Sequence, residues 1–459
     1  MESRNADVII IGAGLTGLSI AYYLKQNGRS PLVIEKSERP GGVINTHQEN
    51  GFIYESGPNT GVLSTPEIAA LFDDLSGESI LETANKDSAK RYILKRGKWQ
   101  AIPSGLLSAV ATPLFTFSDK FRILGEPFRK PGTNPDESVA DMVIRRMGRS
   151  FLDYAVDPFI SGVYAGDPSI LVTRYALPKL YALEHNYGSF IRGSVKKGRE
   201  KKSDAEKKAT REVFSAKGGL GSLTDALADA TGMEKIVCGA SEIKIEPGKS
   251  GFVVSFKSRE GIDMTANSKT VISTAGSYNL PDLLPFIPVD ALEPLLSLKY
   301  ASVVQVAAGY KKWGGLHLDA FGGLVPSKEN RDILGILFPS AIFQGRAPEE
   351  GALLSVFLGG IKKPGMINKS DDEIIGIVLD EIANTLFTSA KPDLLKVFRY
   401  EHAIPQYEKS SGDRLEAIRK IETKYPGLIL AGNIRDGIGM ADRVKQAKNI
   451  SDIVINRKL

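Results

Sequence analysis

Three glycines and one acid are the first residues in this chain whose types and spacing can do chemistry. Gly12, Gly14 and Gly17 are set as G-x-G-x-x-G, with Ala13, Leu15 and Thr16 between them, and Glu35 stands eighteen residues after Gly17. That spacing suits a loop that receives a pyrophosphate and an acid that accepts hydrogen bonds from ribose hydroxyls. Gly12 permits the tight turn. Gly14 lets a phosphate approach the backbone, and Gly17 lets a helix lie close on a strand. A helix starting there offers N–H groups and a positive dipole end to the phosphates.

The elements that must position these residues are legible around them. Val8–Ile11 is a β-branched run that predicts a buried strand. Residues 18–26 predict a helix stopped by Asn27-Gly28, and 31–34 a second strand ending at Glu35. Residues 8–24 carry no charge. Their glycine spacing explains that run better than a signal peptide or a membrane span. No other uncharged apolar run is long enough to span a bilayer, so a soluble or peripheral protein is expected.

The bulk numbers fit a globular chain of two or three domains: 459 residues, 42% hydrophobic and 25% charged. The net charge of +5 permits an anionic substrate or a membrane surface without pointing to nucleic acid. The basic run at 196–212 lacks interleaved aromatics and reads as a solvated segment. Cys238 is the only cysteine, which excludes an intrachain disulfide and a cysteine metal cluster. His47, His185, His317 and His402 show no triad or metal spacing, so no metal and no histidine base is expected.

Further along, 51–59 reads as a strand turning at Gly57-Pro58, 66–75 as a helix and 91–99 as a polar hairpin. From 101 to 188 the strand pattern disappears. There 104–117 is apolar and loosely helical, followed by Lys120, Arg122, Arg129 and Lys130, and 138–147 is amphipathic with Val139, Met142, Val143 and Met147 inward. Residues 218–221 open a helix running to Asp229. Residues 236–245 and 251–257 read as a strand pair, and 270–274 as a further strand. Residues 301–310, 323–325, 333–338 and 353–358 read as a larger antiparallel sheet, joined by a helix at 371–386 and a strand at 397–402. A strand at 428–431, the glycines of 436–440 and a helix at 441–455 form a second strand–glycine–helix unit.

Arg39-Pro40-Gly41-Gly42 behind Glu35 resembles the E-x-x-x-R-x-G-G signature of the amine oxidase and protoporphyrinogen oxidase superfamily, which favours FAD over NAD. With SGVYAGDPS at 161–169 and GNIRDGIGMADRV at 432–444, the chain resembles the flavin-dependent protoporphyrinogen oxidases of haem synthesis. GPN at 57–59, PDESVADMVIRRMG at 135–148, GGLGSL at 218–223 and IPQY at 404–407 follow in the same order, so the likeness spans nearly the whole chain.

The resemblance implies an α/β protein. A Rossmann-like FAD-binding domain (1–76, 214–280, 403–459) would be interleaved with a mixed-sheet substrate domain (77–100, 189–213, 281–402) and an inserted helical, membrane-associating domain (101–188). It implies non-covalent FAD, held by Gly12, Ala13, Gly14, Leu15, Thr16 and Gly17, by Glu35 and Lys36, and by Arg39, Gly41, Gly42 and Val43. Gly57, Pro58, Asn59 and Thr60, the backbone of Glu242, and Ile438, Gly439 and Met440 complete the cofactor set. Gly162 or Gly166 would line the porphyrinogen pocket. The implied reaction removes six electrons from a porphyrinogen, with oxygen or another acceptor, at the cytoplasmic face of a membrane; a homodimer is compatible with it. Val43 and Leu107 depart from the residues that relatives often carry, and no propionate partner is identified. Coproporphyrinogen III oxidation, an amine or carotenoid-type oxidase, and a non-catalytic binding protein on the same fold are the alternatives.

Overall fold

The computed structural model describes residues 2–201 and 203–456. Met1, Lys202 and 457–459, which belong to the expected domain ranges and the basic run, lie outside the described residues. The chain folds around a five-stranded sheet in the order Ile236–Val237, Pro31–Ile34, Val8–Ile11, Thr270–Ser273, Leu428–Leu430. Every pairing in it is parallel. A parallel sheet is covered on both faces, so its strands read as continuous apolar runs, and Val8–Ile11 is buried throughout. The helices Leu15–Gln26, Gly221–Thr231 and Met440–Asn456 pack on one face through Leu18, Leu227 and Val444. A four-stranded sheet and the helices Val289–Leu296 and Ser411–Lys424 pack on the other through Val254, Leu292 and Ile418.

The single strand expected over 236–245 is two strands. Ile236–Val237 joins the parallel sheet, and Ser241–Gly248 pairs with Gly251–Lys257 in the other. Gly239, at φ +73°, turns the chain between them. The amides of Gly239 and Ala240 donate to the carbonyls of Ser37 and Glu35, each at 2.9 Å, so the break is also what holds this segment to the acid.

A seven-stranded sheet runs in the order Leu394–Pro405, Tyr300–Tyr310, Ala352–Gly359, Ile333–Leu337, Ala320–Leu324, Lys90–Lys95, Lys98–Ala101. The expected antiparallel pattern is interrupted where Ala320–Leu324 lies parallel to Lys90–Lys95, which makes the sheet mixed. The helix Asp371–Leu386 begins at a Ser370–Glu373 capping box and covers one sheet face through Ile374, Val378, Ile382 and Leu386. Ile375, next to Ile374, is only partly buried.

Between Ala101 and Val213 the described residues form short helices and no strand. Val139, Val143, Leu152, Ile160, Leu171 and Ala176 make their small core, with Met147 packed at its margin. The helix Phe190–Gly198 extends this block past residue 188: Glu126 is fully buried, pairs with Arg146, and accepts from Ser189 Oγ at 2.6 Å and Phe190 N at 2.9 Å. Burial alone would raise the Glu126 pKa, but the bonds from Ser189, Phe190, Ile191 and Arg146 outweigh it and lower it. Among the described residues no helix is long and apolar enough to cross a membrane.

Candidate active site

The chain leaves the strand Val8–Ile11 through Gly12, at φ +100°. A Cβ on Gly17 would lie 1.9 Å from the Gly12 carbonyl oxygen, so only glycine lets the helix sit this close. A Cβ on Gly14 would meet nothing within 4 Å. Gly14 therefore borders open space, just where Leu15–Gln26 begins with no side-chain cap and no acid in its first turn. Uncapped N–H groups at a helix start suit an anion.

Glu35 closes the far side. Its Oε2 accepts from Ala13 N at 2.6 Å and its Oε1 from Ser37 N at 2.8 Å. Two further lone pairs remain for hydroxyl donors, since an ionised carboxylate offers about four acceptor sites. Lys36 beside it is exposed. Arg39 donates to the carbonyls of Pro40, Ile44 and Gly42 at 2.8, 3.0 and 3.1 Å, so it shapes the glycine-pair loop and keeps a positive charge there. Gly42, at φ +60°, would place a Cβ 3.0 Å from Gly14 Cα. Val43 is exposed.

The turn after Phe52–Ser56 reaches the same region. Gly57 has φ +96°, and a Cβ on it would lie 2.2 Å from the Val43 carbonyl oxygen. Asn59 Nδ2 donates to the Gly57 carbonyl at 3.1 Å, and Pro58 and Thr60 are partly exposed beside it. The preceding Glu55 holds the glycines of 218–221: its Oε1 accepts from Leu220 N and its Oε2 from Thr46 Oγ1. Burial pushes the Glu55 pKa up, against the lowering effect of those two bonds and of Arg346.

Glu242 sits in an irregularity of the ladder between Ser241 and Lys244, at φ +51°, with its carboxylate on Lys257 at 2.6 Å. Its side chain thus faces a lysine and the bulge displaces its backbone from the ladder. At the C-terminal loop the buried Arg443 donates to the carbonyls of Gly432, Arg435 and Gly437, and Gly437 N donates to Tyr407 Oη at 2.9 Å. Ile438 packs beside Tyr407. Gly439 N donates to Asp442 Oδ2 at 3.1 Å, just before the helix that starts at Met440, so part of that helix start is already capped.

The two candidate substrate glycines differ. A Cβ on Gly162 would strike Leu324 Cδ2 at 2.3 Å, so Gly162 lies close against a strand of the seven-stranded sheet. Gly166 is buried against Gln406 and lines a cavity of about 200 Å³ with Ser161, Leu334 and Gly360. Between them, the Tyr164 and Ala165 carbonyls accept from Gln406 Nε2 and Ile361 N at 2.9 and 2.8 Å.

On the sheet face away from Asp371–Leu386, Gln305 lies opposite both Phe357 and Phe398. Leu324, Leu334 and Phe357 are partly exposed. His47 stacks on Phe398 and Tyr54 at 5.5 and 5.2 Å, with Nε2 near Asn45 Nδ2 and Ser56 Oγ. Burial, then Arg39 and Lys396, lowers its pKa. His402 stacks on Tyr278 at 3.9 Å. Gln305, Ser355 and Arg443 drew no notice in the sequence. The available signal was a lone polar residue inside an apolar strand or helix face.

The cradle of Gly14, the free helix start and Glu35 fit a dinucleotide flavin. Cys238 lies at the Glu35 end of it, where burial and then Glu35 and Glu38 raise the thiol pKa. Residues 15–455 match the family described as flavin containing amine oxidoreductase. Protoporphyrinogen oxidase 1, chloroplastic, of Arabidopsis thaliana is 32% identical, covering 96% of this chain and 86% of its own length. The coproporphyrinogen III oxidase of Bacillus subtilis is 28% identical, covering 98% and 97%. Among solved structures, an Exiguobacterium protein given a provisional protoporphyrinogen oxidase name aligns over 99% of both chains with a TM-score of 0.81 at 23% identity. Reduced UDP-galactopyranose mutase aligns over 98% of this chain with a TM-score of 0.74 at 17% identity.

Proposed function

The chain belongs to the flavin-containing amine oxidoreductases, with full-length likeness to the protoporphyrinogen oxidases among them, and we propose that it oxidises protoporphyrinogen IX to protoporphyrin IX in haem biosynthesis. FAD is its cofactor and supplies, when bound, the acceptor for hydride leaving the macrocycle. The loops at Gly12–Gly17, Arg39–Gly42, 57–60 and 438–440, with Glu35, are the residues proposed to hold it.

The observation that carries the substrate reading is the sheet face itself. Gln305 is bonded to Gly57 of the proposed flavin turn, and in its cross-strand row it is flanked by Phe357 and Phe398. Phe357, Leu324 and Leu334 thus offer an apolar wall beside that turn, suited to a flat macrocycle. The protein's task is to orient the macrocycle and exclude water. His47 and His402 are held in ring stacks, which supports a mechanism without a histidine base. Oxygen is the proposed terminal acceptor.

A second reading, coproporphyrinogen III as substrate, is favoured by the full-length likeness to the Bacillus subtilis enzyme of that name. We further propose peripheral docking on the cytoplasmic face of a membrane. It rests on Leu107, Phe117, Phe121, Leu124 and Phe128, all largely exposed and interspersed with Lys120, Arg122 and Arg129.

The deciding experiment is anaerobic mixing of the yellow holoprotein with protoporphyrinogen IX and, separately, coproporphyrinogen III, followed by admission of air. Porphyrin fluorescence rising above the enzyme-free rate with the first substrate supports the proposal. A rise with the second alone selects the second reading, and none with either refutes both.

A further inference from the structure

Gln305 stands where the seven-stranded sheet meets the Gly57 turn, and it is 1% exposed. Its side-chain amide makes two bonds to one short piece of backbone. Nε2 donates to the Glu55 carbonyl at 2.8 Å, and Gly57 N donates to Oε1 at 2.8 Å. Only one orientation of the amide satisfies both groups, with its NH₂ toward the carbonyl and its oxygen toward the N–H. The turn is held again from the neighbouring strand of the sheet, Ala352–Gly359: Ser355 Oγ donates to Asn59 Oδ1 at 2.7 Å, while Asn59 Nδ2 donates to the Gly57 carbonyl. Both polar groups of Gly57 are therefore engaged by protein.

The sheet does not ask for a glutamine here. Residues two positions away share a strand face, and on either side of Gln305 they are Val303 and Ala307. A buried amide among them is unfavourable unless fully bonded, and both of its bonds go to the turn. Its cross-strand neighbours on the same face are Phe357 and Phe398. One side chain thus joins the turn to the wall proposed for the substrate.

We propose that Gln305 is a positioning residue for the flavin: by clamping Glu55 and Gly57 it sets where the 57–60 turn lies under the ring system, and it fixes that turn relative to Phe357 on the substrate face. This rests on the reading of the turn as a flavin contact. Both side-chain hydrogen bonds of Gln305 go to backbone, so its effect passes through the turn.

The test compares holoprotein carrying Gln305→Leu or Gln305→Glu with the parent. In flavin-loaded Gln305→Leu, the visible flavin band and the midpoint potential shift, and kcat falls by about tenfold or more with KM changed by less than about threefold. In Gln305→Glu the ionised carboxylate still accepts from Gly57 N but faces the Glu55 carbonyl. Protonation, made easier by burial, restores the donor. Its flavin band and kcat therefore move toward parental values as pH is lowered, relative to the parent at the same pH. A purely structural role would lower thermal stability and leave band and potential in place.

Parental band and potential in fully loaded Gln305→Leu overturn the proposal. If that variant holds no flavin, Gln305→Glu decides: recovery on acidification supports the clamp, and a spectrum indifferent to pH overturns it. Band and potential are read without substrate, so a wrong porphyrinogen leaves this test standing.

Discussion

Gly41 donates its backbone hydrogen to the carbonyl oxygen of Ala13 at 2.8 Å, and Gly41 and Gly14 form a parallel bridge. The two glycine signatures are thus one wall, zipped together by main chain. Arg39 completes it by holding the carbonyls of the second loop, so a charge lies beside the wall without being aimed across it. Gly41 and Gly42 have positive φ and no room for a Cβ, whereas Gly14 borders open space, so the wall presents main chain from both loops.

Gly14 and Gly17 should separate cofactor loss from fold loss. Gly14 has an ordinary φ of −74° and open space where its Cβ would go. Gly14→Val is expected to keep the thermal midpoint of the apoprotein within about 3 °C of the parent, while flavin affinity falls by at least tenfold, ~1.4 kcal/mol. Gly17→Ala drives a methyl against the Gly12 carbonyl and should cost ~1–3 kcal/mol or more of stability by overpacking. Calorimetry and flavin content of both proteins give the answer. Parental flavin affinity in Gly14→Val would remove Gly14 from the cofactor site.

Glu35 has a structural duty that its place after a strand did not reveal. Glu35→Leu leaves the buried N–H of Ala13 without its acceptor, and removes the part-buried acceptor of Ser37 N. An unsatisfied buried donor costs ~1–3 kcal/mol, so the apoprotein should lose stability along with flavin. Glu35→Gln keeps one acceptor oxygen and is expected to fall between. Denaturant midpoints of the apoproteins test this, and a Glu35→Leu apoprotein as stable as the parent refutes it.

His47 should give the protein an acid-sensitive margin without being a base. Burial, with help from Arg39 and Lys396, holds its folded pKa below the usual 6.5. Between that depressed value and 6.5 the unfolded chain binds more protons than the folded one, so stability rises with pH across the window and falls on acidification. His47→Gln should flatten this slope in thermal midpoints taken from pH 7.5 downward. Its flavin-loaded turnover should stay within about tenfold, whereas removing a true general base costs about 10²–10⁴-fold. A loss beyond a hundredfold with flavin in place means that the proton acceptor has been missed.

Cys238 offers a footprint for the cofactor. The thiol lies beside Glu35 and Glu38, and its raised pKa slows alkylation at neutral pH. If the ribose end of FAD sits at Glu35, bound FAD should slow iodoacetamide labelling of Cys238 by about tenfold or more, equivalent to ~1.4 kcal/mol of protection. Mass spectrometry of apo and holo protein reads this directly. Equal labelling rates would place the ribose elsewhere. Release of all flavin on acid precipitation would confirm that no covalent bond is made.

The parts legible in the sequence are those whose signal is local. Gly12, Gly17 and Glu35 announce themselves by spacing, and Asp371–Leu386 by its period and its Ser370 cap. Residues 236–245 misread as one strand because Gly239 passes for a tolerated glycine until Ser37 and Glu35 are seen to hold its neighbourhood. The strand Glu2–Asn5 and the helix Ser411–Lys424 went unnoticed: one is polar and pairs with distant Asp263–Ser268, and the other has only Ala417, Ile418 and Ile421 as buried apolar residues. Gln305 was silent for a related reason. It acts on backbone far away in sequence, and no period or motif encodes such a bond.

The exposed apolar residues of 107–128 make the membrane proposal testable without disturbing the site. Phe117–Leu124 buries none of its residues, and Phe128 is 84% exposed, so neither contributes to a core. Lys120 and Arg122 share that helix, and Arg129 follows Phe128, a pattern that favours an anionic surface over a protein partner. Phe117, Phe121, Leu124 and Phe128 changed together to Ser should leave the thermal midpoint and flavin content near parental. Full burial of such a side chain is worth ~1.5–3 kcal/mol. Even two of the four reaching the acyl layer give roughly a hundredfold in partitioning. Flotation with vesicles containing phosphatidylserine, against phosphatidylcholine alone, measures it. The parent should float with the anionic vesicles, less so at high salt, and the quadruple variant should remain in the dense fraction. A parent that stays behind with both vesicle types would sink the docking proposal, and so would a quadruple variant that floats as well as the parent.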